Sequence, residues 1–259
     1  MNPTILLAPG AWHSSTCFRQ LQLHLDALNY PNETVDHPSI GAEPPTKSLD
    51  DDVHNLRRAL SRLIDEEEKS VVLLGHSYGG VVISNASEGF GLAQRQQQGK
   101  QGGIEVVVYL AAFVLGKGTS LFDGLGRKWA WWMSFEGEYC YSSNERQIFY
   151  HDVPSDQQDE ALAQLKHTSA AVFHGKVVHE PWRYMPVAYL YCDGDQALPF
   201  AVQEKLVESM VGSSVEHAPA PLVLTDHLSA SHSPFLSMPD QTAESIRRVV
   251  GEVQGRKLN

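Results

Sequence analysis

Residues 71–80, VVLLGHSYGG, contain the pattern from which the rest of the chain can be interpreted. Four apolar residues lead into Gly-x-Ser-x-Gly, with Ser77 at the centre. The apolar run predicts a buried strand, and the residues from Gly80 onward are compatible with a helix. A serine on a sharp strand-to-helix turn has strained backbone angles, and small neighbours two residues to either side leave room for it. The stretch predicts a serine nucleophile, although a structural turn could use the same residues.

Short apolar runs alternate with helical patterns on both sides of this stretch. The predicted strands are Thr4–Ala8, Glu33–Asp36, Ser70–Leu74, Ile104–Leu110, Pro186–Cys192 and Ser214–His217. Apolar residues at helical spacing predict helices over Thr16–Leu28, Asp52–Ile64 and Thr242–Val253. This alternation indicates an α/β fold with a mostly parallel, roughly six-stranded sheet flanked by helices.

Residues 116–185 interrupt the alternation and contain four of the five tryptophans. We expect a core domain of residues 1–115 and 186–259, with a helical, aromatic-rich cap insertion between them. Aromatic side chains often line apolar ligand sites, so this cap would cover a pocket. The candidates for lining the pocket are Trp129, Trp131 and Trp132. An ordinary helical insertion with its own small core is the alternative.

The composition limits the class of partner. The 259 residues are 42% hydrophobic, as in ordinary soluble domains, and the net charge is −11. Nucleic acids and anionic membranes select for basic surfaces, so neither is expected as a partner. No apolar run approaches the about 18 residues of a membrane span, and the N-terminal residues resemble a strand more than a signal peptide. Three widely spaced cysteines form neither a disulfide framework nor a zinc pattern, which favours a cytoplasmic location.

A serine hydroxyl needs a histidine base that is oriented by a carboxylate. The chain has 12 histidines, so position must select among them. In a hydrolase sheet the base follows the last strand, and DHLSASHSPFLS offers His227 and His232 there. We favour His232, which lies on a loop that enters the final helix. His227 is nearer to the preceding strand.

The acid should follow a late strand, and YLYCDGDQALPF supplies Asp193 and Asp195. Asp195 begins Asp-x-x-x-Pro ahead of a helix and is favoured, whereas Asp193 precedes glycine as a turn residue would. An oxyanion hole also needs two backbone N–H groups. We expect these from Tyr78, directly after the serine, and from Ala11 in the loop LLAPGAWHSS.

The same early loop supplies further candidates for substrate contact. Gly10 would allow the backbone to approach closely, while Trp12 and His13 could contact substrate or simply pack.

Four motifs, PGAWHSS, GHSYGGVV, DGDQALP and SHSPFLS, together resemble the α/β-hydrolase superfamily. The nearest branch is that of plant methylesterases and hydroxynitrile lyases, with their fungal and bacterial relatives. The resemblance implies a triad of Ser77, Asp195 and His232, oxyanion donors at Ala11 and Tyr78, a small helical cap, and neither cofactor nor metal. Hydroxynitrile lyases of this branch carry a threonine and a lysine where this chain has Gly10 and Ser233. Cyanohydrin cleavage is therefore not expected.

The sequence thus favours a serine hydrolase, a carboxylesterase in the first place, acting on a small and fairly apolar ester. A lactone or a thioester is an open alternative. The same triad could also serve cyclisation, acyl transfer or cleavage of a carbon–carbon bond in secondary metabolism. A small-molecule receptor with a retained triad is the third hypothesis. An exposed aromatic cap could support a homodimer.

Overall fold

The structure, a computed structural model, describes residues 2–214 and 221–257. Its strands are β1 (Thr4–Ala8), β2 (Asn32–Thr34), β3 (Ser70–His76), β4 (Gly103–Leu110), β5 (Met133–Glu136), β6 (Tyr139–Ser142), β7 (Thr168–Ser169), β8 (Val187–Cys192) and β9 (Val223–Leu228). Six of them form one sheet in the order β2-β1-β3-β4-β8-β9, with every neighbouring pair parallel. The predicted parallel sheet is confirmed.

Helices cover both faces of this sheet. They are α1 (Arg19–Ala27), α2 (Leu49–Ser61), α3 (Gly79–Ala86), α4 (Leu92–Gln97), α5 (Leu121–Gly124), α6 (Glu145–Ile148), α7 (Ser155–Gln164), α8 (Phe200–Ser214), α9 (Pro234–Ser237) and α10 (Pro239–Lys257). Turns of 3₁₀ helix occupy Ser15–Phe18, Ala170–His174 and Pro181–Arg183, and a π-helical turn, Arg62–Glu66, follows α2. Among the helices of the described residues, none combines the length and the apolar composition that crossing a membrane requires.

The period of two along each strand divides the core into two layers. Leu6 and Leu73 belong to the layer that packs under α2, α3 and the insertion (residues 116–185). Ile5 and Val72 point to the opposite layer, which α1 and α10 cover. Side chains in both layers are buried, which explains why the central strands are continuous apolar runs.

The insertion is less helical than expected. Besides α5, α6 and α7 it contains a three-stranded antiparallel sheet in the order β5-β6-β7. In β5 partly buried and exposed side chains alternate, and in β6 the buried Cys140 precedes the exposed Tyr141. The density of aromatic residues conceals these strands in the sequence.

The position predicted for the last strand of the main sheet is wrong. Ser214 ends α8, and the other residues of the predicted strand Ser214–His217 lie outside the described residues. The observed strand is β9, which begins nine residues after Ser214 and lies at the edge of the sheet. Its half-exposed sequence VLTDHL carries threonine, aspartate and histidine, so it lacks the apolar run that marks an interior strand. His227 therefore lies within the strand.

We expect Gly79 to tolerate no side chain, because α3 begins against the end of β1. A Cβ atom there would lie 2.5 Å from Pro9 O and 2.8 Å from Ala8 O. Gly79→Ala should lower the free energy of unfolding by about 1–3 kcal/mol, measured by urea denaturation. Gly251 in α10 has no atom near that position. The control Gly251→Ala should keep the stability or raise it by up to about 1 kcal/mol. Equal effects of the two variants would contradict this packing.

Candidate active site

Four loops meet at the carboxyl edge of the parallel sheet, where ligands bind in open α/β folds. Ala11 follows β1, Ser77 follows β3, Asp195 follows β8 and His232 follows β9. Because β1 and β3 are neighbours, and β8 and β9 are neighbours, each pair of loops lies side by side.

Ser77 occupies the turn between β3 and α3 in a left-handed backbone conformation, with φ of +54°. This conformation is unfavourable for residues other than glycine, and it persists only where the surrounding structure enforces it. The Ser77 N–H donates to Leu110 O at 3.3 Å, and its carbonyl accepts from Phe113 N at 3.1 Å and Gly80 N at 3.0 Å. These bonds hold the strained turn in place.

A buried hydrogen bond joins His232 to Asp195, with Nδ1 2.7 Å from Oδ2. Their side chains are 3% and 0% exposed. A carboxylate can only accept, so Nδ1 carries the proton and the neutral ring keeps Nε2 as an acceptor. The other oxygen of Asp195 accepts from the backbone N–H groups of Ala197 and Leu198, both at 2.8 Å. The carboxylate is thereby fixed in one orientation.

The alternative pair, His227 and Asp193, also forms a hydrogen bond, at 2.9 Å, but on the surface. Their side chains are 52% and 40% exposed, and neither residue lines the pocket that contains Ser77. The geometry supports the choice of Asp195 and His232.

The two expected oxyanion donors lie on either side of Ser77. Ala11 and Tyr78 both line its pocket, and neither backbone N–H donates to another group of the described chain. Gly10 permits this approach, since a Cβ atom there would lie 2.9 Å from Ser77 Cβ. Two free amides beside a serine have the arrangement that an oxyanion requires.

The pocket around Ser77 is narrow and mostly apolar, with a cavity of about 20 Å³. That volume accommodates roughly one water molecule. Ser77 and His232 both border it, and no direct hydrogen bond joins their side chains among the described residues. The remaining lining is Ala11, Trp12, Tyr78, Phe113, Leu121, Leu125, Ala130, Trp132, Met133, Phe173, Ala197 and Leu198.

The predicted aromatic contacts are only partly in this pocket. Trp12 and Trp132 line it, and their rings pack against each other at 5.4 Å. Trp129 instead packs within the insertion, 4.4 Å from Phe122. Trp131 is the clear correction, because it is 69% exposed and does not line the pocket. Trp132 directly follows it in a turn, and of these two tryptophans only Trp132 is buried.

His13 is a further correction, since it lies in a separate cavity beside Tyr150 and Cys17. Its Nδ1 lies 2.8 Å from Ala11 O and its Nε2 lies 2.7 Å from the Tyr150 hydroxyl. Nδ1 must donate to the carbonyl, so Nε2 accepts from the tyrosine. Burial lowers the pKa of His13 to about 4, and the Ala11 carbonyl only partly opposes this. His13 is thus a neutral packing residue behind the loop of Ala11.

His76 contacts His232, the expected base, from behind. Its Nε2 donates to the carbonyl of His232 at 2.8 Å, and the two rings lie 4.5 Å apart. Burial lowers the pKa of His76 well below its usual value, and the neighbouring His232 and His13 lower it further. A neutral His76 places no positive charge beside the His232 ring.

Sequence reasoning missed most of the apolar lining and the contacts that tie the insertion to the base. Asp152 accepts from Ser231 N at 2.8 Å, and Phe149 O accepts from Ser231 Oγ at 2.9 Å. Phe113 could have been found, because it follows β4 at the same edge. The insertion residues could not, since only tertiary structure brings them there.

Within the described residues no group of three His, Cys, Asp or Glu side chains could hold a metal ion.

Acidification should destabilise the fold through the buried histidines. An unfolded histidine has a pKa near 6.5, so between that value and about 4 the unfolded chain binds a proton that folded His13 does not. Stability is then fully present above pH 6.5 and is lost progressively toward pH 4, by on the order of 3 kcal/mol for His13.

Urea denaturation of wild type, His13→Gln and the control His54→Gln at pH 7 and pH 4.5 measures this. The loss on acidification should be smaller in His13→Gln than in His54→Gln, which removes an exposed imidazole on α2. The same loss in all three proteins would contradict the assignment.

Comparison with known proteins identifies the family of this chain. The sequence model of the alpha/beta hydrolase family matches residues 5–245. An alpha/beta hydrolase of Aspergillus novofumigatus is 28% identical over 257 residues, covering 97% of this chain and 98% of the relative. A pyrethroid hydrolase of Sphingobium wenxiniae is 26% identical, covering 93% and 85%.

Solved structures agree on the fold. A pyrethroid hydrolase from Sphingobium faniae superposes with a TM-score of 0.74 at 21% identity, covering 97% of this chain and 98% of that chain. The family expected from the four sequence motifs is confirmed. This chain belongs to the alpha/beta hydrolase family.

Proposed function

We propose that the protein is a carboxylesterase that cleaves a small, neutral and largely apolar ester with Ser77, His232 and Asp195. The observation that carries this proposal is the buried Asp195–His232 hydrogen bond beside a strained serine and two free backbone amides. The relatives named as hydrolases of pyrethroids and the carbendazim hydrolyzing esterase of Nocardioides, 25% identical, agree with it.

The reaction follows from the positions of these groups. Ser77 Oγ attacks the ester carbonyl while His232 Nε2 takes its proton, and Asp195 stabilises the resulting imidazolium. The carbonyl oxygen becomes an anion that accepts from the N–H groups of Ala11 and Tyr78. His232 then protonates the departing alcohol, and water activated by the same ring releases the acid. Bound substrate would bring Oγ and Nε2 within hydrogen-bond reach, as catalytic contacts often tighten only in the complex.

The lining supports a neutral substrate. Apart from Ser77, Tyr78 and His232, every lining residue is apolar, and none of the residues that border the cavity carries a full charge. A buried charge without a partner is strongly disfavoured, so a carboxylate on the substrate would be rejected. Indole and phenyl rings at Trp12, Trp132 and Phe173 suit a flat or branched apolar group.

The insertion would act as a cap in this proposal. Leu121, Leu125, Trp132 and Phe173 all come from it and cover the serine. A cavity of about 20 Å³ is far smaller than an ester, so part of this cover must move when substrate enters. The same residues also exclude water. This favours a second candidate function, transfer of the acyl group to an acceptor other than water.

Covalent labelling tests the nucleophile. Purified protein treated with a fluorophosphonate should gain one adduct by intact mass, and Ser77→Ala should gain none. His232→Ala should react at least about 100-fold more slowly, because general-base assistance typically contributes 10²–10⁴-fold. His227→Ala removes the surface histidine of the matching pair and should label like wild type. Equal labelling of the His227 and His232 variants would overturn the assignment.

The same proteins should be assayed against nitrophenyl esters with neutral and with carboxylate-bearing acyl groups of equal size. Neutral esters should be preferred by at least about 100-fold in kcat/KM, since burial of an unpaired charge costs several kcal/mol. Equal rates would contradict the apolar pocket, and a folded wild type that neither labels nor turns over any ester would contradict the esterase proposal.

A further inference from the structure

A buried carboxylate lies behind the pocket, outside the set of residues described so far. Asp52 on α2 is 0% exposed, and its Oδ2 accepts from the Tyr78 hydroxyl at 2.7 Å. Ser39 donates to it twice, from the backbone N–H to Oδ1 at 2.9 Å and from Oγ to Oδ2 at 2.6 Å. Among the described residues no lysine or arginine pairs with Asp52. A buried carboxyl group without a basic partner stabilises a fold poorly, which points to a role in the site.

Tyr78 connects this carboxylate to the pocket. Its backbone N–H is one of the two free amides beside Ser77, while its side chain reaches Asp52. The phenol ring is held edge-on by His37 at 5.5 Å and by Phe173 at 6.2 Å. With the hydroxyl and the ring both fixed, the Cα atom of Tyr78 and the peptide that precedes it have little freedom. That peptide is the one whose N–H would face the oxyanion.

The same stretch of chain also reaches the second oxyanion donor. His37 Nε2 donates to Pro9 O at 2.9 Å, two residues before Ala11. His37, Ser39 and Asp52, the last two joined by hydrogen bonds, thus contact both sides of the oxyanion hole from behind.

We propose that Asp52 is a positioning residue, which holds the Tyr78 amide at the oxyanion through the Tyr78 hydroxyl. This inference rests on the proposed esterase function and names a residue that the triad does not include. Asp52 touches no substrate. Its contribution is geometric: it keeps a strained turn from relaxing when negative charge develops on the carbonyl oxygen.

Tyr78→Phe removes the link and keeps the ring. Because the amide remains but is less well placed, kcat should fall about 10-fold, less than the 10²–10³-fold typical of losing an oxyanion donor. KM should stay within about 2-fold, since the ground-state carbonyl depends little on this amide. Asp52→Asn should give a similar loss of kcat. The double variant should lose no more kcat than either single variant, as expected when both residues act through one chain of contacts.

Tyr109→Phe is the matched control. Tyr109 on β4 is also fully buried, its hydroxyl lies 2.8 Å from Ser84 Oγ, and it does not line the pocket. This variant loses a buried tyrosine hydroxyl of the same kind. It should retain the kcat and the KM of wild type.

A trifluoromethyl ketone with an apolar chain separates positioning from general destabilisation. Ser77 Oγ bonds to the ketone carbon, its proton passes to His232, and the ketone oxygen becomes an anion in the oxyanion hole. The affinity for this probe should fall in Tyr78→Phe and Asp52→Asn by the same factor as kcat/KM. The KM for the ester and the affinity for the non-ionising parent alcohol should not change.

Several outcomes would overturn the inference. One is a Tyr78→Phe variant that matches Tyr109→Phe in kcat and in ketone affinity. Another is a loss that appears in KM alone, and a third is full additivity of the two single variants. If Tyr78→Phe does not fold, Asp52→Asn decides by the same readouts. A wild type that labels and turns over ester keeps the proposed function whatever these variants do, whereas an inert wild type removes both.

Discussion

The proposed chemistry depends on the buried hydrogen bond between His232 and Asp195. It fixes the tautomer of the base, so that Nδ1 carries the proton and Nε2 can accept one. The bond forms because β8 and β9 are parallel neighbours, with Cys192 beside Leu228 at their carboxyl ends. The surface pair of His227 and Asp193 shows that such a hydrogen bond alone is not a site. Burial and a nearby strained serine distinguish the two.

Two parts of the chain hold the loops of the candidate site by hydrogen bonds from opposite sides. On one side the insertion holds the loop of His232 through Asp152 and Phe149, and His151 donates from Nε2 to Gly194 O at 2.8 Å in the loop of the acid. On the other side the expected oxyanion donors are contacted by α2 and the chain before it, by Asp52 at the Tyr78 hydroxyl and by His37 at Pro9 O. In the proposed mechanism the insertion therefore positions His232 as well as covering the pocket. Movement that admits substrate would have to leave these contacts intact.

The features that could be predicted from the sequence are those that depend on a local pattern of residues. Apolar runs located five of the six strands of the main sheet, and the motif around Ser77 with two late loops indicated the site. The sequence could not predict β9, whose half-exposed edge position leaves no apolar run, or the small sheet of the insertion. It also offered Trp131 and His13 as candidates for substrate contact, because side-chain direction in a loop depends on packing across the fold. Asp52 appeared only as the first residue of a predicted helix, since its contact with Tyr78 spans 26 residues of sequence.

Comparison of Asp195→Asn with Asp193→Asn tests the central claim most directly. Both variants replace an aspartate that bonds a histidine, one buried in the site and one on the surface. Turnover of a neutral nitrophenyl ester should fall by about 10⁴-fold in Asp195→Asn, because the base would be held in the wrong tautomer. Asp193→Asn should stay within a few-fold of wild type. Equal loss in both, or full activity in Asp195→Asn, would contradict the account.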